Sequence, residues 1–139
     1  VGVLNGVLYT DATTSKPTFS NFYPAATTPA NSEDITAFVN DDPFQEYIIA
    51  SDATLGGTLA LRKSKIGLTY ATTAAAGSTT TGKSSIQLGI STAATTAKQL
   101  RVVRVAEDPE NEDQTAANCS LVVKVNLHQY TVGSLATGI

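Results

Sequence analysis

The chain has 139 residues, 15% of them charged, a formal net charge of -3, one cysteine, one histidine and neither Met nor Trp. That length suits one domain with a core of its own, while nine Lys and Arg against twelve Asp and Glu are too few to drive nucleic-acid binding through phosphates. No apolar run approaches the ~18 residues of a helical membrane span, no signal-peptide pattern opens the chain, and a lone Cys119 makes neither an intrachain disulfide nor a multi-thiolate zinc site.

Val1, Val3, Val7, Leu8 and Tyr9 predict a first strand, with Asn5-Gly6 as a turn or bulge inside it. Val1 reads as the middle of a strand rather than its beginning, so residues upstream of Val1 are expected. Residues 11–16 form a polar turn, 18–23 a short aromatic segment between Pro17 and Pro24, and 25–33 a small-residue loop. Ile35, Ala37 and Val39 alternate with Thr36, Phe38 and Asn40 and predict a strand that Asp41-Asp42-Pro43 breaks; 44–50 is the next. "VNDDPFQEY" thus reads as two strands joined by a tight acidic turn.

Leu59, Leu61, Ile66, Leu68 and Tyr70 alternate in two halves around the basic Lys63-Ser64-Lys65, predicting two short strands, with a short helix as the alternative. The Ala/Thr/Gly/Ser tract 71–84 predicts a flexible or extended loop. Ile86, Leu88 and Ile90 form a brief strand, followed by a Thr/Ala tract. "KQLRVVRVA" (98–106) is a strand whose doubled Val102-Val103 breaks alternation as a bulge does. Residues 107–114 are an acidic turn. Leu121, Val123, Val125 and Leu127 alternate with Val122, Lys124, Asn126 and His128 over a long strand, and 132–139 form an extended tail. The fold class is all-β: a single domain over 1–139, an antiparallel sandwich or barrel with long Thr/Ala/Gly/Ser-rich loops and little helix.

"GSTTTGKSS" fits G-x-x-x-x-G-K-[ST] through Gly77, Gly82, Lys83 and Ser84. A phosphate cradle needs a buried strand before such a loop and a helix after it. Neither is predicted here, so the match is read as a Thr/Gly loop without nucleotide. Asp41, Asp42, Glu107, Asp108, Glu110, Glu112 and Asp113 would make a Ca²⁺ site only if the two acidic turns met at one end of a sandwich. Without EF-hand spacing they are read as solvated turns.

Cys119 is read as a small, partly buried side chain. His128 is the only histidine base available to it, yet nine residues of strand put the two on opposite faces. No G-x-S-x-G elbow accompanies His128, which falls on the polar face of its strand. A glycosidase-type carboxylate pair stays open to sequence alone, though no aromatic-rich cleft is suggested. Asn118-Cys119-Ser120 is formally a glycosylation sequon. No catalytic, cofactor or metal residue is assigned.

"YTDATTSKPTFSNFYPA" (9–25), "AFVNDDPFQEYIIASD" (37–52), "GSTTTGKSS" (77–85), "KQLRVVRVAEDPEN" (98–111) and "VVKVNLHQY" (122–130), with the terminal Gly138-Ile139, occur in this order. Together they resemble a family of small structural proteins of tailed phages, especially marine ones, encoded near the capsid genes. The resemblance covers most of the chain and is thinnest over 58–70. It implies a non-enzymatic decoration, or cement, protein on the outer surface of the capsid, partnered by the major capsid protein. A homo-oligomer is implied too, a trimer at local three-folds being the usual form. A tail- or fibre-associated adhesion module of a phage is the alternative, separated from the first by copy number.

Overall fold

Residues 2–23, 29–31, 34–92, 97–111 and 113–128 are described by the structure, a computed structural model. They form an all-β fold of three antiparallel sheets in two compact units. The smaller unit holds residues 2–41 and 77–84; the larger holds 42–76 and the chain from 85 onward. The expected tail 132–139, most of the 25–33 loop and the centre of the Thr/Ala tract lie outside the described residues.

In the smaller unit β1 (Val3–Thr10) runs between β2 (Pro17–Ser20) and β3 (Thr36–Asn40). The expected irregularity at Asn5-Gly6 is a bulge: pairing with β3 passes from Leu4–Val39 to Gly6–Phe38, leaving Asn5 over. The β1–β2 turn is built by Asp11. Its Oδ1 accepts from the backbone N–H of Thr13 (2.9 Å) and Thr14 (2.8 Å), and Ser15 adopts the left-handed φ of 53° that the reversal requires. The Thr14 bonds hold the Asp11 carboxyl below the usual carboxylate range. Val7 and Tyr9 are buried on one face, where Tyr9 meets Tyr23 edge-on at 6.5 Å.

In the larger unit β4 (Glu46–Ala50) leads to a one-turn helix, α1 (Leu59–Lys63), then to β5 (Thr69–Tyr70), β6 (Thr72–Thr73) and β7 (Gln87–Leu88). β8 (Leu100–Val105) and β9 (Ser120–Val125) complete a four-stranded sheet ordered β4-β9-β8-β5, while β6 and β7 pair as a two-stranded ribbon. Leu55, Tyr70, Leu88, Ile90, Val102, Cys119, Leu121 and Val123 form the core. Ribbon and sheet thus share one apolar layer, a sandwich-like arrangement. No sheet closes into a barrel among the described residues.

The bulge expected at Val102-Val103 is present: pairing of β8 with β9 shifts between Val102 and Arg104. Four readings are corrected. The first half of 58–70 is helical, because Thr58 is an N-cap whose hydroxyl accepts from Leu61 N–H at 3.3 Å, and propensity follows from Leu-Ala-Leu-Arg-Lys. The two strands flanking Asp41-Asp42 belong to different sheets, β3 pairing β1 and β4 pairing β9. The 71–84 tract is not all loop, since Thr72 and Thr73 pair with β7. The last strand ends at Val125, where Asn126 turns its amide to Lys98 O (3.1 Å), so period-two counting does not reach His128, which is buried.

Alternation in β9 also fails at Val122, which is buried with Leu121 and Val123. As a central strand β9 has Ile48 and Arg104 flanking Val122 on the far face, and their side chains shield it. Asn111 closes the acidic turn. Buried, it donates to Ala106 O (2.8 Å) and Ser120 O (3.0 Å) and accepts from Ser120 N–H (2.8 Å). It thereby supplies the bonds of a missing strand residue.

Candidate functional site

The P-loop-like segment is a closed turn within the smaller unit. Ser78 N–H donates to Lys83 O (3.0 Å), Gly82 N–H to Ser78 O (2.8 Å), Thr81 N–H to Ser78 Oγ (3.2 Å) and Lys83 N–H to Thr81 Oγ1 (3.4 Å). The amides of Ser78, Thr81, Gly82 and Lys83 are thus turned onto the loop itself. No helix follows; the next element is β7. Both glycines have a turn role. Gly82 has a left-handed φ of 66° and lies against the Asn21 amide, while a Cβ on Gly77 would stand 2.9 Å from Lys83 O.

Two of the acidic residues, Asp42 and Asp113, act locally. Asp42 Oδ1 accepts from Phe44 N–H at 2.8 Å. Asp113 Oδ1 accepts from the Thr115 hydroxyl and backbone, which hold its carboxyl below the usual range. Among the described residues no group of three or more His, Cys, Asp or Glu side chains gathers to hold a metal ion; Glu112 lies outside them.

Cys119 is in the core, and burial pushes its thiol above the ordinary range, the opposite of an activated nucleophile. Cys119 precedes β9 and His128 follows it, with six residues of extended strand at about 3.3 Å each between them. The structure does not join them as a pair. In the same core Tyr70 is pushed up to about 12 by burial, its hydroxyl 3.3 Å from Lys65 O. No helix of the described residues is long and apolar enough to cross a membrane.

What the structure does assemble is an apolar surface on the three-stranded sheet. Directly paired residues share a face. Gly6 opposite Phe38 and Leu8 opposite Phe19 therefore lie together, with Val3 on the same side. Phe19 is 62% exposed and Phe38 46%, and Val3 and Leu8 are exposed too. The two rings are tilted at 57° with centroids 6.0 Å apart. Gly6 makes room for them: a Cβ there would come within 2.6 Å of Phe19 Cζ. The glycine is kept by packing of an exposed ring over the backbone, the relation seen when an aromatic covers a strand glycine.

Sequence reasoning missed this face. It read the alternation of Ile35, Ala37 and Val39 with Thr36, Phe38 and Asn40 only as a strand signal and assigned neither phase to solvent; in the structure Ala37, Phe38 and Val39 are all exposed. The signal was Phe38 itself, a large aromatic alternating with the aliphatic residues of the same strand. The arrangement offers no acid, base or nucleophile. It offers contact area in which ring edges and faces can pack against another apolar surface. Comparison with protein-family models, curated proteins and solved structures finds no match to this chain.

Proposed function

We propose that the chain is a non-enzymatic structural protein of a tailed-phage particle, a decoration or cement protein that binds the head shell from outside and stabilises it. The observation that carries this reading is the exposed apolar face of the three-stranded sheet: Val3, Leu8, Phe19 and Phe38 around Gly6. Contiguous apolar surface of this kind marks contact with another macromolecule. It is joined by the ordered resemblance to small phage structural proteins.

A cement protein needs contact surface rather than chemistry. The four candidate chemistries fit that: a loop closed on its own amides, carboxylates engaged in turns, a thiol held protonated, and a histidine remote from it. The partner in this reading is the major capsid protein, met in a closed symmetric arrangement.

The test is the copy number of this protein relative to the shell subunit, by quantitative mass spectrometry of purified particles. A ratio near one is expected for a decoration layer. A handful of copies per particle would replace the reading with a tail or fibre part. Absence from particles would overturn it.

A further inference from the structure

Among the described residues the two larger sheets present four edge strands, and three of them are guarded. β2 opens on Pro17, which has no N–H to offer, and follows Lys16. β4 carries Glu46, and β5 is two residues long. β3, the outer strand of the three-stranded sheet, has none of these devices: Thr36-Ala37-Phe38-Val39-Asn40 contains no charge and no proline. Phe38 lies on one face of that strand and Ala37 and Val39 on the other, and all three are exposed. Both faces of β3 are thus open, and no strand of the described residues pairs with it on the side away from β1.

The charges lie at the ends of this edge. In sequence β3 sits inside "EDITAFVNDD" (33–42), an uncharged run between two pairs of acids. Asp34 stands just before the strand and Asp41 just after it, both exposed. Among the described residues neither carboxylate takes part in a hydrogen bond or an ion pair.

An open strand edge takes up another strand through backbone N–H and C=O groups, and the side chains decide which strand. A second copy laid antiparallel along β3 would bring Asp34 of each copy beside Asp41 of the other, like charge on like charge at both ends. An acidic segment is rejected in the same way. We propose that β3 is the acceptor for an extended segment of another protein, uncharged where it pairs and carrying Lys or Arg at both ends. The segment becomes the fourth strand of its sheet, in the order β2-β1-β3-segment. It lies beside Phe38 on one face and beside Ala37 and Val39 on the other, and its cations meet Asp34 and Asp41. This pairing does not depend on the phage-shell reading.

The experiment titrates the full chain with two short peptides of alternating Thr and Val, one with two lysines at each end and the other with two glutamates. Heteronuclear NMR follows the backbone amides, and hydrogen exchange follows their protection. The lysine peptide is expected to slow exchange at amides between Thr36 and Val39, and to bind more weakly as salt rises. It should bind at least roughly tenfold more tightly than the glutamate peptide. Asp34→Lys/Asp41→Lys should erase that preference. Binding of neither peptide, equal binding of both by the wild type, a preference that survives in the variant, or protection confined to residues outside β3 would each overturn the proposal. Should the variant fail to fold by circular dichroism, the two peptides compared on the wild type decide alone.

Discussion

The two larger sheets show solvent opposite kinds of outer face. On the four-stranded sheet Glu46 stands 3.6 Å from Arg104 and 3.5 Å from Lys124, across three adjacent strands. On the three-stranded sheet the corresponding surface is Val3, Leu8, Phe19 and Phe38, with a glycine beneath the rings. Their inner faces differ as well. The larger unit buries an eight-residue core with Tyr70, Leu88 and Leu121 fully enclosed, whereas the smaller one buries Val7 and Tyr9. The lesson is a division of labour. Stability is concentrated where apolar groups face inward, and the apolar groups that face outward are those the proposed function assigns to contact.

The strongest way to break that comparison is to remove apolar volume from each place in turn. Leu88 is fully buried where ribbon meets sheet, so Leu88→Ala removes packed atoms and leaves a cavity. A loss of about 2–5 kcal/mol is expected. Phe19→Ala, at 62% exposure, deletes a larger side chain yet should cost well under that, on the order of 1 kcal/mol. Denaturant unfolding measures both. A larger cost for Phe19 than for Leu88 would show that the outer face of the three-stranded sheet is structural.

Gly6 sharpens the comparison, because it sits under the rings without being in a core. Gly6→Val places a side chain where Phe19 Cζ lies 2.6 Å from the Cβ position and Ser20 O 2.9 Å. The ring has room to swing outward; the backbone carbonyl does not. The expected cost is about 1–3 kcal/mol, read as a shift of the unfolding midpoint. On the proposed cement function, the displaced Phe19 should also weaken binding to phage shells, so a variant that binds them as the wild type does counts against that face as the contact surface.

These predictions lean on features of unequal legibility. The all-β class was readable from short alternating runs between turn residues, and both bulges were readable because Asn5-Gly6 and Val102-Val103 interrupt alternation locally. Strand partners were not. The Asp41-Asp42-Pro43 turn looks like a hairpin connection, yet which sheet each strand joins depends on pairings of β3 with β1 and β4 with β9 that no local pattern encodes. Helix α1 was ambiguous because Leu59 and Leu61 recur at the spacing of a strand, and the Thr58 cap together with the helix propensity of Leu-Ala-Leu-Arg-Lys tips the balance. The P-loop letters were legible as a mismatch of context before any coordinate. The apolar face was not legible, since it takes three strands in register to bring Val3, Leu8, Phe19 and Phe38 together.

The smallest effect is expected on the charged face. Glu46→Gln keeps the shape of the side chain and removes its charge, leaving Arg104 and Lys124 beside each other. All three side chains are substantially exposed, so water screens the loss of two ion pairs at 3.5–3.6 Å. The expected change is within about 1 kcal/mol and should shrink as salt is added. What the charge does instead follows from where it sits. β4 is at one end of its sheet order, and beside Glu46 it carries Ile48, 72% exposed. A charged residue on an edge strand discourages pairing with the edge of another molecule. Glu46→Gln should therefore leave the unfolding midpoint nearly unmoved while raising light scattering at high concentration. A destabilisation above about 2 kcal/mol with no change in scattering would reverse that assignment and make the ion-pair triad a structural element.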